Sequence, residues 1–188
     1  MMKLTAWTIW GLTAVIGLAG HIAASAGFMI NHTASAPRGL WRIAPLNGPV
    51  ERGRMVSVCP PDSSPFRLAR KRGWLSYGRC PGGYEPLLKP VAAIPGDFVE
   101  LTPEGLSVNG RLAPNTAPLA ADSLGRPMPS APFGAHVVRP GEAWLVSDFT
   151  PWSFDSRYFG PLPLARIEGA AAPVWISTAT ERSQIHGR

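Results

Sequence analysis

At 188 residues with 45% hydrophobic and 16% charged content, the chain is long enough for one domain with a real core and too apolar to be disordered. It carries 20 glycines and 21 prolines, well above their usual combined share of roughly 12%. That excess disfavours a helical bundle and suits short strands joined by turns. The net charge of +6 is scattered apart from one cluster, Arg67, Arg70, Lys71 and Arg72. The plain reading of the cluster is a solvated face near a turn, and the sharper one is contact with anionic lipid headgroups. No nucleic-acid fold signature accompanies it, so nucleic acid is not expected as a partner.

The first element in chain order is an apolar run. Residues 5–30, TAWTIWGLTAVIGLAGHIAASAGFMI, contain no Lys, Arg, Asp or Glu. A helix of roughly 20 apolar residues crosses a bilayer, and Trp7 and Trp10 stand near one end, where aromatic side chains favour the interface. The run predicts an N-terminal membrane anchor over residues 1–30. A cleaved signal peptide is the rival, with ASA at 24–26 and again at 34–36 as small-residue cleavage sites. Charge does not orient the anchor, because Lys3 precedes it while Arg38 and Arg42 follow it.

Downstream, the strand candidates are GLWRIAP, MVSVCP, LLKPVAAI, DFVELTPEGLSVNGRLAP, AWLVSD and APVWIS. DFVELTPEGLSVNG reads as a hairpin turning at PEG, and NG at 109–110 marks a second tight turn. A short helix is expected around 65–73. The segment 112–137, rich in Pro, Ala and Gly, is expected to be an extended loop, and the stretch from Ser177 a polar tail. The pattern describes a mainly-β domain, residues 31–176, hung from one transmembrane helix and followed by a tail at 177–188.

Cys59 and Cys80 lie 21 positions apart, each followed by Pro. Two cysteines cannot make a tetrahedral zinc site alone, and no histidine stands at ligand spacing with them. No metal or other cofactor is expected. In an oxidising compartment a single disulfide is the natural reading, stabilising by about 3 kcal/mol; two buried free thiols are the alternative. The pair favours an oxidising side of the membrane for residues 31–188.

Three motifs carry candidate chemistry: NHTASAPRGLW at 31–41, LLKPVAAIPGD at 87–97 and SDFTPWSFDSRYFG at 147–160. Each has a plain reading as a solvated loop serine, a strand lysine and a salt-bridged turn. Lys89 shifts the balance, because it sits inside a strongly apolar run. A buried lysine loses its charge readily, since desolvation disfavours the ammonium, and a neutral amine can take a proton from a serine hydroxyl. None of the histidines sits in a motif that suggests a base.

The three motifs, in this order behind an apolar N-terminal run, resemble the bacterial type I signal peptidases, the Ser-Lys peptidase family. Ser-x-Pro-x-Gly-Leu-Trp at Ser35 to Trp41, CPGGY at Cys80 to Tyr84 and SFDSRYFGPL are most similar to the TraF-type conjugative transfer peptidases of that family. The resemblance implies a serine endopeptidase with Ser35 as nucleophile and Lys89 as general base. Thr33 stands where the family often has an oxyanion-hole hydroxyl, and Ser153 where a serine orients the lysine amine. Asp155 and Arg157 match the carboxylate and guanidinium that brace the site, with an ion pair between them as the plainer role and direct chemistry at Asp155 as the sharper one. The implied setting is a monomer in the bacterial inner membrane, held by inner-membrane lipid, with its catalytic domain in the periplasm. The implied partner is a membrane-inserted pilin precursor, with either water or the pilin's own amino terminus as acceptor. The chain departs from the general enzymes in having one expected span, Ala-Pro after the nucleophile, and no GDNR lead-in before the third motif. The competing functions are a general type I signal peptidase and an inactive, membrane-anchored scaffold for pilus assembly.

Overall fold

Prolines and glycines cut the chain into short pieces, and most of those pieces are strands. The computed structural model describes residues 6–177, with the side chains of 6–8, 19 and 21–25 excepted. Helix α1 (Ala6–Ser25) leads into β1 (Phe28–Asn31) and β2 (Gly39–Ala44). There follow β3 (Met55–Val58), α2 (Ser64–Lys71), β4 (Tyr77–Cys80) and β5 (Leu87–Ala93). Next come β6 (Phe98–Thr102), β7 (Gly105–Val108), β8 (Arg111–Leu112) and β9 (Gly134–Val137). The described part closes with β10 (Glu142–Leu145), α3 (Ser156–Phe159), β11 (Leu162–Pro163), a 3-10 turn at Leu164–Arg166 and β12 (Ile167–Ile176).

Among the described residues every strand but β4, which makes only isolated bridges to Tyr84, belongs to one of two antiparallel sheets. The larger has the order β1-β2-β12-β3-β5-β10-β11 and the smaller β8-β7-β6-β9. The last described strand therefore lies inside the large sheet, between β2 and β3. Gly39 opens β2 where β12 passes close by. Its φ of +148° suits glycine, and a Cβ there would collide with the Trp175 carbonyl.

Strand β5 is central and buried on both faces, which explains its nearly continuous apolar sequence. Leu87 and Val91 join a core with Val56, Phe66, Leu145 and Phe154. Leu88 faces the other way, onto Ala36 and Trp41. A third cluster under the small sheet gathers Val99, Leu101, Leu106 and Trp144. The SFDSRYF segment supplies Phe154 and Tyr158, whose rings stack at 5.8 Å, and Phe154 meets Phe66 of α2 edge-on at 5.9 Å. The box thus reaches the core through aromatic packing as well as through its polar groups.

Cys59 and Cys80 form a disulfide with Cα atoms 5.4 Å apart, tying the end of β3 to β4. The basic cluster is largely occupied by protein partners. Arg67 pairs with Asp62 at 3.2 Å, Arg70 lies over the Tyr77 and Tyr84 rings, and Arg72 lies over Trp74.

Several expectations shift. The expected anchor is helical only to Ser25, and Phe28–Ile30 at its end form strand β1. Among the described residues no helix is long and apolar enough to cross a membrane; Gly11, Thr13 and Gly17 dilute the apolar run in α1. Residues 134–137 are strand β9, paired with β6, although their Gly and Ala content reads as loop. Strand β12 starts at Ile167, well before APVWIS: pairing with β3 and β2 holds Glu168, Gly169 and the alanines that follow, whose low strand propensity hides them in the sequence. Of the expected polar tail, residues 178–188 lie outside the described part of the chain.

Candidate active site

Lys89 is placed by the alternation of β5, on the same face as Leu87 and Val91. Its side chain is 3% exposed, and its partner across the ladder is Val56. Its amine donates to Ser153 Oγ at 2.8 Å, its one hydrogen bond among the described residues. Burial pulls the Lys89 pKa down from 10.5 to about 8; the Asp155 charge opposes that fall and the Arg157 charge adds to it. A lysine of this kind is neutral in a substantial fraction of molecules just above neutral pH.

Ser35 sits half-buried in the loop between β1 and β2. Both Ser35 and Lys89 open onto one cleft of about 300 Å³, whose apolar walls include Met29, Leu87, Trp152, Phe154 and Tyr158. The loop is fastened from outside by Ser147, whose hydroxyl donates to the Ser35 carbonyl at 2.7 Å. Trp41 Nε1 donates to the Pro37 carbonyl at 3.0 Å. Thr33 also lines the cleft, and its hydroxyl donates to Asn31 Oδ1 at 2.8 Å.

The third motif organises itself around a fully buried ion pair. Arg157 donates from Nε to Asp155 Oδ1 at 2.8 Å and from Nη2 to Asp155 Oδ2 at 2.9 Å. Asp155 caps α3 by accepting the Arg157 backbone N–H, and its other oxygen accepts the Ser147 backbone N–H at 3.2 Å. Arg157 further donates to the carbonyls of Ser153, Asn115 and Ala117. Both Asp155 oxygens are thus engaged by protein donors. A guanidinium this buried would ordinarily lose affinity for its proton by desolvation, but the hydrogen bonds and charge of Asp155 outweigh that and hold its pKa above the usual value. Holding the Ser153 carbonyl, Arg157 fixes the residue whose hydroxyl meets Lys89.

The fold therefore brings Ser35, Thr33 and Lys89 to one cleft and joins Ser153, Asp155 and Arg157 behind it. Two contributors escape the sequence reading. Asn31 is a buried carboxamide that holds the Ser35 loop, and Ser147 anchors the Ser35 carbonyl. An Asn two positions before Thr33 is an Asx-turn signal that could have marked the first. Nothing local marks Ser147, whose contact spans 112 positions.

The described residues thus hold a buried lysine of lowered pKa and a half-buried serine on the lining of one cleft in a mainly-β domain. The chain belongs to the signal peptidase family, peptidase S26, whose family model matches residues 3–176. Within it the chain groups with the TraF conjugal transfer proteins. It is 41% identical over 167 residues to the conjugal transfer protein TraF of Agrobacterium fabrum, covering 85% of this chain and 93% of that one. It is 42% identical over 185 residues to a probable conjugal transfer protein TraF of Sinorhizobium fredii, covering 93% and 95%. A plasmid transfer protein TraF of Escherichia coli is 40% identical over 173 residues, covering 92% and 96%. A crystal structure of a signal peptidase I from Enterococcus faecalis aligns with 65% of this chain and 97% of its own, at 20% identity and a TM-score of 0.37.

Proposed function

We propose that this chain is a membrane-anchored serine endopeptidase that uses Ser35 and Lys89 to process a pilin precursor for a conjugative transfer apparatus. The observation that carries the reading is the Lys89 amine: buried, hydrogen-bonded to Ser153 alone among the described residues, and opening onto the same cleft as Ser35. In the neutral form Lys89 takes the Ser35 hydroxyl proton as the oxygen attacks the scissile carbonyl. The tetrahedral intermediate collapses to an ester on Ser35 as the Lys89 ammonium returns that proton to the leaving amine. Water or a substrate amine then attacks the ester, giving its proton to Lys89, which passes it to Ser35 Oγ as the acyl–oxygen bond breaks and the free serine is restored. Ser153 keeps the amine aimed, and the Asp155–Arg157 pair holds Ser153.

The relatives' names tie them to conjugal and plasmid transfer, which supports a pilin substrate over general secreted proteins. Membrane attachment through α1 is supported by its lack of charge and by its exposed face. Ile9, Trp10, Leu12, Val15, Ile16 and Leu18 are each more than half exposed, and a helix apolar on all sides belongs against lipid or another protein. Only a turn and β1 separate α1 from the Ser35 loop, so an anchored α1 would keep the cleft near the bilayer and raise the local concentration of a substrate in the same membrane. The disulfide supports a periplasmic placement.

The test is co-expression of the pilin precursor from the same transfer region with the native chain or with Ser35→Ala. Full-length precursor should accumulate only with the variant, whose melting temperature should match the native value. Equal processing by a folded Ser35→Ala protein would sink the reading.

A further inference from the structure

The loop that presents Ser35 is closed at its base by the pairing of Asn31 with Gly39, the last register pair of the β1–β2 hairpin. The residues between them have no ladder partners, so their polar groups need other ones. The Asn31 side chain, 6% exposed, supplies many of them. The two hydrogens of its amide nitrogen are shared among the carbonyls of Thr33, Ala36 and Pro37, at 3.2, 3.0 and 3.1 Å. Its oxygen accepts the Thr33 backbone N–H at 3.2 Å and the Thr33 hydroxyl at 2.8 Å. A backbone N–H only donates and backbone carbonyls only accept, so this network fixes the orientation of the carboxamide. A carboxamide carries its acceptor oxygen and its donor nitrogen side by side on one carbon, which the ionised carboxylate of Asp does not.

We infer that Asn31 is a positioning residue for the nucleophile. Its carboxamide grips the loop at Thr33, before Ser35, and at Ala36, directly after it. Ser35 therefore projects from a turn whose two sides are tied to one side chain, while Ser147 holds its carbonyl from behind. The same carboxamide governs Thr33. As long as the Thr33 hydroxyl donates to Asn31, it cannot donate to an oxyanion, so any such role requires the hydroxyl to turn away from Asn31. The inference rests on the Ser35–Lys89 reading and adds to it the residue that sets where the attacking oxygen stands.

Steady-state processing of the precursor by the full chain, native against Asn31→Ala and Asn31→Asp, tests it. Removing the clip should lower kcat by about 10- to 100-fold, the scale of an ångström-sized misplacement of a reacting group, with KM within about twofold. The midpoint of the pH–rate profile should stay at its native value, because Asn31 does not touch Lys89. Asn31→Asp keeps the shape and the acceptor for Thr33 but has no hydrogens for the Ala36 and Pro37 carbonyls, so it should be impaired as well. A folded Asn31→Ala protein with kcat within twofold of native overturns the inference. So does a loss carried by KM, or the melting of both variants below the assay temperature, since Asn31 would then be a folding residue only. If the native chain itself does not process the precursor, or Ser35→Ala processes it equally well, the Ser–Lys reading falls first, which separates the two failures.

Discussion

The Lys89 amine and the Ser153 hydroxyl stand 2.8 Å apart in the interior, a lysine and a serine 64 positions distant in sequence and both almost fully buried. Burying an ammonium is costly unless it is paired, and Lys89 meets that cost by holding its proton weakly.

Rate should therefore follow the neutral fraction of Lys89. Processing is expected to rise with pH and reach half its plateau near pH 8, where the Lys89 pKa lies. Lys89→Arg should be as inactive as Lys89→Ala, since arginine stays charged. A flat profile between pH 6.5 and 9, or an active Lys89→Arg protein, would point to another base.

Stability should carry the same signature. The folded chain gives up the Lys89 proton near pH 8, whereas the unfolded chain keeps it to about 10.5. Between those values the unfolded state binds more protons, so stability rises with pH; below 8 the full penalty of burial stands. That interval corresponds to about 3 kcal/mol. Lys89→Met should accordingly be more stable than native at pH 7, and the advantage should shrink toward pH 10 in urea unfolding. A constant difference across that range would contradict the linkage.

Ser153→Ala removes the acceptor that favours the charged amine. Hydrogen bonds to ionised groups are the stronger ones, so the pH–rate midpoint should move below its native value. At the same time kcat should fall by about 10- to 100-fold, because the amine is no longer aimed. A lower kcat with an unmoved midpoint would assign Ser153 to packing alone.

Asp155→Asn should act on the fold first. It leaves Arg157, which is fully buried, without a counter-charge, a change that typically costs about 3–5 kcal/mol. Chemical denaturation should report a loss of that order. A variant of native stability that has lost all activity would instead indicate direct chemistry at Asp155.

The disulfide should resist exchange for serines poorly. Cys59→Ser with Cys80→Ser should lower stability by about 3 kcal/mol, and reduction of the native protein should reproduce the same drop in melting temperature. Equal melting of oxidised and reduced protein would show that the bond is incidental.

Much of this was legible from local signals. The hairpin of β6 and β7, the turn at Asn109–Gly110 with φ of 50° and 78°, and the helix at Ser64–Lys71 all follow from turn chemistry and spacing. Lys89 was legible because a charge inside LLKPVAAI is conspicuous. What escaped depends on distant partners. Strand β9 is an edge of low propensity that exists because β6 offers it a ladder. Asn31 and Ser147 look like ordinary polar loop residues until the fold shows which carbonyls they hold. Strand β1 was hidden in the tail of an apolar run, since periodicity alone does not tell where an apolar helix gives way to a strand.

The position of β12 sets an order in time. Among the described residues of the large sheet, the hairpin that carries Ser35 and the β3–β5 pair that carries Lys89 are joined edge to edge only by β12, which is made after both. The candidate nucleophile Ser35 and the candidate base Lys89 therefore belong to two half-sheets that stay unjoined until residues 167–176 slot between them. A chain cut before Ile167 keeps every candidate site residue but lacks the strand that joins their half-sheets, so it should process no precursor, and processing by such a truncation would show that β12 is dispensable.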